Sequence, residues 1–417
     1  MKYATLSSKK IWVLIGTRPE AIKQIPVYKA LVEKFGKEAV ALVGTGQHHQ
    51  LIDQVLVPFE TTMDFNFQLM LPQQTPTSLS AAILAKLNDV FLEIKPDWIV
   101  VQGDTTSAAM AGYAAFLNHI KVVHNEAGLR SYDMHHPFPE EANRRLLTTV
   151  SDVHMAPTTL AQDALIQEGV NPKTIFLTGN SGIDSFLKML ERQPSPRVEE
   201  LLTLAGDKKI VFMTAHRREN QGEGMDQWFH ALRIFFQKNP HLYLLYPMHP
   251  NQLALAATKR YLSDLHNVCA IDPLGYEDCC HLIAHSLFVV TDSGGIQEEA
   301  ASLGKQVVVC RKKTERMEAV HAGFATLVGT DIEKIISGMN WALENSRPRL
   351  QQKGVPINHF QSLYGHGHSG KKIAEIIYEK SMLIAPTKVR QTTEECGNME
   401  PERSVVVPLK HSYGHLL

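Results

Sequence analysis

The sequence has no excess of charge of either sign: 42 Lys+Arg stand against 43 Asp+Glu over 417 residues. That argues against a generally basic nucleic-acid binder and against an acidic tail protein, while leaving room for a local basic pocket. Long apolar runs are missing too; none approaches the roughly 20 residues that a membrane-spanning helix needs. Residues 1–10 lack the apolar centre of a secretory signal, so the expected location is the cytoplasm. Cysteine is scarce, with 5 in all, and forms no CxxC pair, which argues against a disulfide framework or a zinc knuckle. HExxH and other His/Cys ligand spacings are absent, so no metal is expected. GxSxG is absent as well, leaving a serine hydrolase of the α/β-hydrolase type unsupported. No repeat of solenoid period and no heptad run occurs.

What is present is an ordinary globular composition, 44% hydrophobic and 20% charged. At roughly 100–200 residues per domain, the length suits two or three domains. Short apolar runs at 11–15, 40–43, 98–101, 122–124, 210–213, 242–246, 287–290 and 307–309 alternate with amphipathic stretches at 20–35, 79–94, 107–118, 225–237 and 295–303. Continuous apolar strands between helices predict parallel sheets covered on both faces, an α/β fold. One series precedes residue 190 and one follows 205; Gln193-Pro194-Ser195-Pro196-Arg197 between them suits a linker. The segment 371–383 reads as a final helix, and after Ala385 the chain turns polar and loses its period.

Ligands of open α/β sheets bind at the carboxyl ends of the strands. The residues just after the apolar runs are therefore the candidates. Ser293-Gly294-Gly295 opens a helix after a buried strand, where free backbone amides and the helix dipole favour an anion. Glu298 and Glu299, one turn further, could grip ribose hydroxyls. Arg18 precedes Pro19 at a helix start, where the dipole disfavours a cation. With Lys23 it points to anion binding. Asp104 and Glu126 follow strands that should be neighbours, and Glu140 follows the rigid turn His136-Pro137-Phe138-Pro139. Close carboxylates raise one another's pKa and can divide into an acid and a base. His216, after a strand of the second series, adds a phosphate donor or a proton carrier. Gly365–Lys372 mimics a phosphate loop, but no apolar strand precedes it, and a glycine-built helix start is the better reading.

Taken together, these motifs closely resemble the non-hydrolysing UDP-N-acetylglucosamine 2-epimerases. The resemblance rests on GTRPEAIK at 16–23, GQH at 46–48, GDTT at 103–106, EAGLR at 126–130, PFPEEANR at 137–144, HRREN at 216–220, TDSGGIQEE at 291–299 and TER at 314–316. It implies two Rossmann-like domains with the active site in the cleft between them, as in GT-B glycosyltransferases. It further implies interconversion of UDP-GlcNAc and UDP-ManNAc without NAD or metal, in a homodimer. By the same resemblance, Arg18, His216, Ser293, Gly294, Gly295, Glu299 and Arg316 are UDP ligands. Asp104, Glu126 and Glu140 are the catalytic carboxylates, with His216 and Lys23 beside them. Gln47 and Gln50 match residues that hold a second UDP-GlcNAc as activator. The expected organisation is an extension over 1–9, a first domain over 10–192, a second over 198–365, a helix over 366–384 packing back on the first, and a disordered tail over 385–417.

The chain departs from the family's pattern at Lys312-Lys313, at Met317, at Cys279 near the uridine, and at Gln73, Gln102 and Asn125. None of these removes a predicted carboxylate or phosphate ligand. The other readings of the same pocket are an epimerase of a related UDP-2-acetamido sugar, a hydrolysing epimerase that releases ManNAc and UDP, a GT-B glycosyltransferase, and a UDP-sugar sensor. The Arg-Pro-Glu of residues 18–20 favours the non-hydrolysing branch. A glycosyltransferase would leave Asp104, Glu126 and Glu140 together unexplained, and a sensor should have lost a carboxylate.

Overall fold

A computed structural model describes residues 3–46, 49–71, 73–215, 223–248, 251–346 and 363–383. Two all-parallel sheets organise them. The first joins β1 (Ile11–Ile15), β2 (Val40–Gly44), β3 (Phe65–Asn66), β4 (Trp98–Gln102), β5 (Lys121–Asn125), β6 (Val153–Ala156) and β7 (Ile175–Leu177) in the order β3-β2-β1-β4-β5-β6-β7. The second joins β8 (Lys209–Thr214), β9 (Leu242–Pro247), β10 (Val268–Ile271), β11 (Phe288–Thr291), β12 (Gln306–Val309) and β13 (Ala325–Leu327) in the order β10-β9-β8-β11-β12-β13. All eight predicted runs are strands, and the protein is an α/β fold of the two-domain GT-B type. The five strands not predicted are two to four residues long, and four of them, β3, β7, β10 and β13, are sheet edges.

The strands are apolar throughout because both faces are covered. Every residue of β1, β2 and β4 is buried. Strand order reverses between β1 and β4 in one sheet and between β8 and β11 in the other. Each reversal leaves a crevice at the carboxyl ends of the strands, where a ligand can reach the loops that follow. An apolar cluster passes from one domain to the other through Phe59, Phe186, Met189, Leu201, Tyr276 and Ile283. Within it the rings of Phe59 and Tyr276 stack with centroids 6.5 Å apart.

The helix Arg18–Phe35 carries Pro26 in its interior. A proline there lacks the N–H that would bond to the carbonyl four residues back, here that of Ile22. The Ser185 hydroxyl donates to that carbonyl instead, so the missing bond is replaced. The last described helix, Ser369–Met382, lies against Arg18–Phe35, so this helix belongs to the first sheet's layers. Its contact is close: a Cβ on Gly370 would sit 2.6 Å from the Pro26 carbonyl oxygen. Its N-terminus is occupied by Asp184, which accepts from the amides of Ser369 at 3.1 Å and Gly370 at 2.8 Å. The phosphate-loop mimic at 365–372 is thus a helix start capped by the protein's own carboxylate.

The Gly370 contact yields a stability prediction. Gly370→Ala forces the two helices apart against backbone atoms, a cost of about 1–3 kcal/mol. Thermal denaturation of the variant should show a lowered midpoint, and an unchanged midpoint would contradict the packing.

Candidate active site

The helix Arg18–Phe35 begins directly after β1 because Thr17 caps it and Pro19 fills its first turn. Arg18 therefore projects from the carboxyl end of β1. It acts electrostatically on Glu299 and Cys279 of the second domain, so it faces the opposite wall of the cleft. Lys23, just over one turn further along, is buried. β4 and β5 pair in register up to Gln102 and Asn125. Asp104 and Glu126, just past those positions, leave the sheet at one level. Glu126 has φ +67°, a left-handed conformation that is strained for a residue with a side chain. Such strain persists where the surroundings hold the residue, and here they do.

Those surroundings are an ionic cluster shared by both domains. Lys23 Nζ donates to Glu126 Oε2 and lies 3.5 Å from Glu298 of the second domain. Arg316 reaches Glu126 at 3.4 Å and Glu298 at 3.0 Å, and pairs with Glu315. Glu315 in turn meets Arg311 at 3.1 Å and Arg144 of the first domain at 3.5 Å. Arg144 closes the chain on Asp104 at 2.6 Å, with Glu141 at 3.0 Å as its other partner. Glu140 opens the helix Glu140–Val150 one turn before Arg144. On the same helix, the Asn143 amide donates to the Asp104 carbonyl at 2.9 Å. Lys23, Glu126 and Arg316 thus come into direct contact, Asp104 joins them through Arg144 and Glu315, and Glu140 shares Arg144's helix.

Electrostatics follow from burial. Removal from water pushes the Glu126 carboxyl up; Lys23 opposes this and Glu298 adds to it. The carboxylate pair that perturbs Glu126 is therefore the one it makes with Glu298 across the cleft. Burial works against the charge of Arg316, but Glu315, Glu298, Glu126 and Asp104 outweigh it and hold the guanidinium ionised. Lys23 is likewise kept charged against its burial by Glu126 and Glu298. Removing one partner from such a cluster would leave an uncompensated buried charge, which costs about 3–5 kcal/mol.

In the second domain, Ser293 precedes the helix Gly294–Ser302 without capping it by its side chain. The Ser293 amide donates to the Thr291 hydroxyl at 2.9 Å. A Cβ on Gly294 would lie 3.0 Å from the Arg316 guanidinium, so this glycine is what lets Arg316 lie against the start of the helix. Backbone amides, the positive end of the helix dipole and a guanidinium thus converge as an anion site. Glu299 turns the other way and accepts from the Tyr276 hydroxyl at 2.9 Å; its burial pushes its carboxyl up to about 8.

His216 and Gln47 lie outside the described residues, as does the side chain of Gln50. Sequence reasoning placed Arg144 and Glu315 only inside longer motifs and gave neither a role. Both are buried ionic residues that pair with each other across the domains, and nothing in local spacing signals that. Glu298 stood only as an alternative ribose ligand; it turns to Lys23 and Arg316 instead.

Comparison with known proteins agrees with this geometry. Residues 32–378 match the family model described as UDP-N-acetylglucosamine 2-epimerase. The UDP-N-acetylglucosamine 2-epimerase of Campylobacter jejuni is 38% identical over 378 residues, covering 88% of this chain and 97% of that protein. The UDP-GlcNAc 2-epimerase of Neisseria meningitidis, solved bound to UDP-GlcNAc, superposes with a TM-score of 0.80 at 36% identity, over 88% of this chain and 99% of that one. The S. aureus protein MnaA, solved with UDP, gives a TM-score of 0.79 at 35% identity, over 90% and 98%. The chain belongs to the UDP-N-acetylglucosamine 2-epimerase family.

Proposed function

We propose that the protein inverts C2 of the sugar in UDP-GlcNAc, interconverting it with UDP-ManNAc without releasing free sugar. The observation that carries this reading is the buried cluster in which Lys23 and Arg316 meet Glu126 and Glu298 across the cleft. It sets cations for a departing diphosphate beside carboxylates for a proton. The Neisseria relative, solved with UDP-GlcNAc, supports the choice of nucleotide sugar.

The chemistry needs both kinds of group. No carbonyl activates the C2 proton, so its direct removal is prohibitive. Departure of UDP from C1 builds oxocarbenium character and acidifies C2–H. Arg18, Arg316, His216 and the amides of Ser293-Gly294-Gly295 bind the departing diphosphate and stabilise that charge. Glu299 takes the ribose. A carboxylate removes the C2 proton and leaves a 2-acetamidoglucal held with UDP. A second group returns a proton to the opposite face, and UDP adds back at C1. Asp104, Glu126 and Glu140, with Lys23 and His216 beside them, are the proton-handling set. Burial of Glu126 brings its basicity closer to neutral, where a group both takes and returns protons well. Closure of the two domains excludes water from the glycal and so prevents hydrolysis.

The same reading places the protein in the cytoplasm as a homodimer that supplies ManNAc-type donors for surface polysaccharide. A second UDP-GlcNAc beside Gln47 and Gln50 acts as its activator.

Incubation with UDP-GlcNAc in deuterated water tests the reaction. UDP-ManNAc carrying deuterium at C2 is the expected product. Free ManNAc with UDP would mark a hydrolysing enzyme, and turnover without deuterium at C2 would sink the elimination route. A second test targets one carboxylate. Asp104→Asn should abolish turnover while UDP binding stays near normal, because Arg144 keeps Glu141 and Glu315 as partners. Unchanged turnover removes Asp104 from the proton-handling set.

A further inference from the structure

Glu20 stands in the first turn of the helix that follows β1 and is 2% exposed. Its Oε2 accepts from the Gly16 amide at 3.1 Å and from the Thr17 hydroxyl at 2.8 Å. Its Oε1 accepts from the Thr105 hydroxyl at 2.8 Å. Thr17 caps the helix Arg18–Phe35, and Thr105 caps the helix Thr106–Leu117. One carboxylate therefore binds the N-caps of two helices. The residue next to one cap is Arg18, and the residue next to the other is Asp104. Half of this arrangement is a capping box, a structural device in its own right. The bond to Thr105 goes beyond that device, because it reaches a second helix 85 residues along the chain.

We propose that Glu20 is a positioning residue for the reaction: as a carboxylate it locks the loop carrying Arg18 to the loop carrying Asp104. The ligand of the departing diphosphate and the group facing the sugar then keep one fixed relation. The ionised form makes the stronger link, because its bonds from Gly16, Thr17 and Thr105 are then charge-assisted. The Thr17 hydroxyl accepts from the Glu20 amide at 3.5 Å, and that of Thr105 from the Ala108 amide at 3.0 Å. Each hydroxyl has a single proton to give, and it goes to Glu20. A proton on Glu20 would remove that charge assistance and weaken the link, even though a threonine hydroxyl keeps a second lone pair that could accept it. Burial pushes this carboxyl up to about 7, the bonds from Thr17, Thr105 and Gly16 pull it down, and Asp104 pushes it further up. Asp104 is the charged group that faces it from the loop after β4, while Arg18 and Lys23 stand on its own helix. The link is therefore strongest above about pH 7 and weakens as the pH falls through it.

The inference rests on the reading of Asp104 and Arg18 given above, and the test keeps the two apart. Steady-state kinetics of UDP-GlcNAc epimerisation are measured for the unmodified chain and for Glu20→Gln, Thr105→Val, Thr105→Ser and Thr75→Val. The unmodified kcat should fall on the acid side of about pH 7. Glu20→Gln should lose about 100-fold in kcat with KM little changed, since a misplacement of about 1 Å costs that much. It should also lack the acid limb near pH 7. Thr105→Val should lose kcat likewise, and Thr105→Ser, which keeps the hydroxyl, should restore it. The Thr75 hydroxyl caps the helix Pro76–Glu93 and bonds to Ser78 rather than to Glu20, so Thr75→Val should lower the thermal midpoint and leave kcat alone. An active chain whose Glu20→Gln variant keeps its kcat, or whose acid limb stays in place, overturns the inference. If Glu20→Gln does not fold, the Thr105 pair decides: equal kcat in Val and Ser overturns it. An unmodified chain with no turnover sinks the reading of the site and this inference with it.

Discussion

A charge removed from water must be answered by another charge, and that requirement organises this molecule. Arg316 is buried in the second domain and has Glu298 and Glu315 on its own side. It also reaches Glu126 of the first domain, which Lys23 already holds. None of these groups could stay ionised alone at that depth. Each domain therefore supplies part of the counter-charge for the other, and the wall of the cleft is a single ionic unit built from two sheets. A substrate that brings its own diphosphate enters a place where cations and carboxylates are already balanced against one another. It can redistribute those contacts without bare charges having to be created.

The sheet geometry serves this arrangement. Strand order reverses at β1/β4 and again at β8/β11, and each reversal delivers a loop to the cleft. The loop after β1 brings Arg18, the loop after β4 brings Asp104, and the loop after β11 brings Ser293 and the two glycines. Helix starts that elsewhere are closed by threonine, asparagine or aspartate side chains are closed at Thr17 and Thr105 too, but there the closing groups also bind Glu20. At Gly294 the side-chain cap is missing and a guanidinium lies alongside. The same local device, a capped or uncapped helix, is thus used once for rigidity and once for reception.

Much of this was legible in the sequence. Eight strands show as apolar runs because both faces of each are buried, which removes the alternation a half-exposed strand would have. Arg18, Asp104, Glu126, His216 and Ser293-Gly294-Gly295 were found because they follow those runs, where a purely structural chain would place turns and caps; Glu140 follows a rigid turn, and Arg316, Gln47 and Gln50 came only with the family resemblance. Strands β3, β7, β10 and β13 were not visible, since the edges of sheets need less apolar surface, and in β6 His154 interrupts the apolar residues. The partners of the charged residues were not visible either. Arg316 and Glu126 stand 190 positions apart, and no local rule joins them. Arg144 reads as one more polar residue of an amphipathic helix until the fold sets Asp104 beside it. Glu20 reads as a favourable acid in a first helical turn; that it also serves a second helix is a fact of tertiary structure.

The return of the Ser369–Met382 helix to the first sheet's layers has a mechanical meaning. The chain leaves the first domain once after the helix Ser181–Leu190 and must cross back before Ser369. The two bodies are therefore joined by backbone at two places. A single tether allows swing and twist in every direction; a pair of tethers removes most of those freedoms and leaves rotation about the line between them. Gly370 against Pro26 and Asp184 at the helix start anchor the second tether as firmly as the sheet anchors the first. Any rotation of one body against the other is then restricted to that line, which keeps the half-cluster on each wall facing its opposite half.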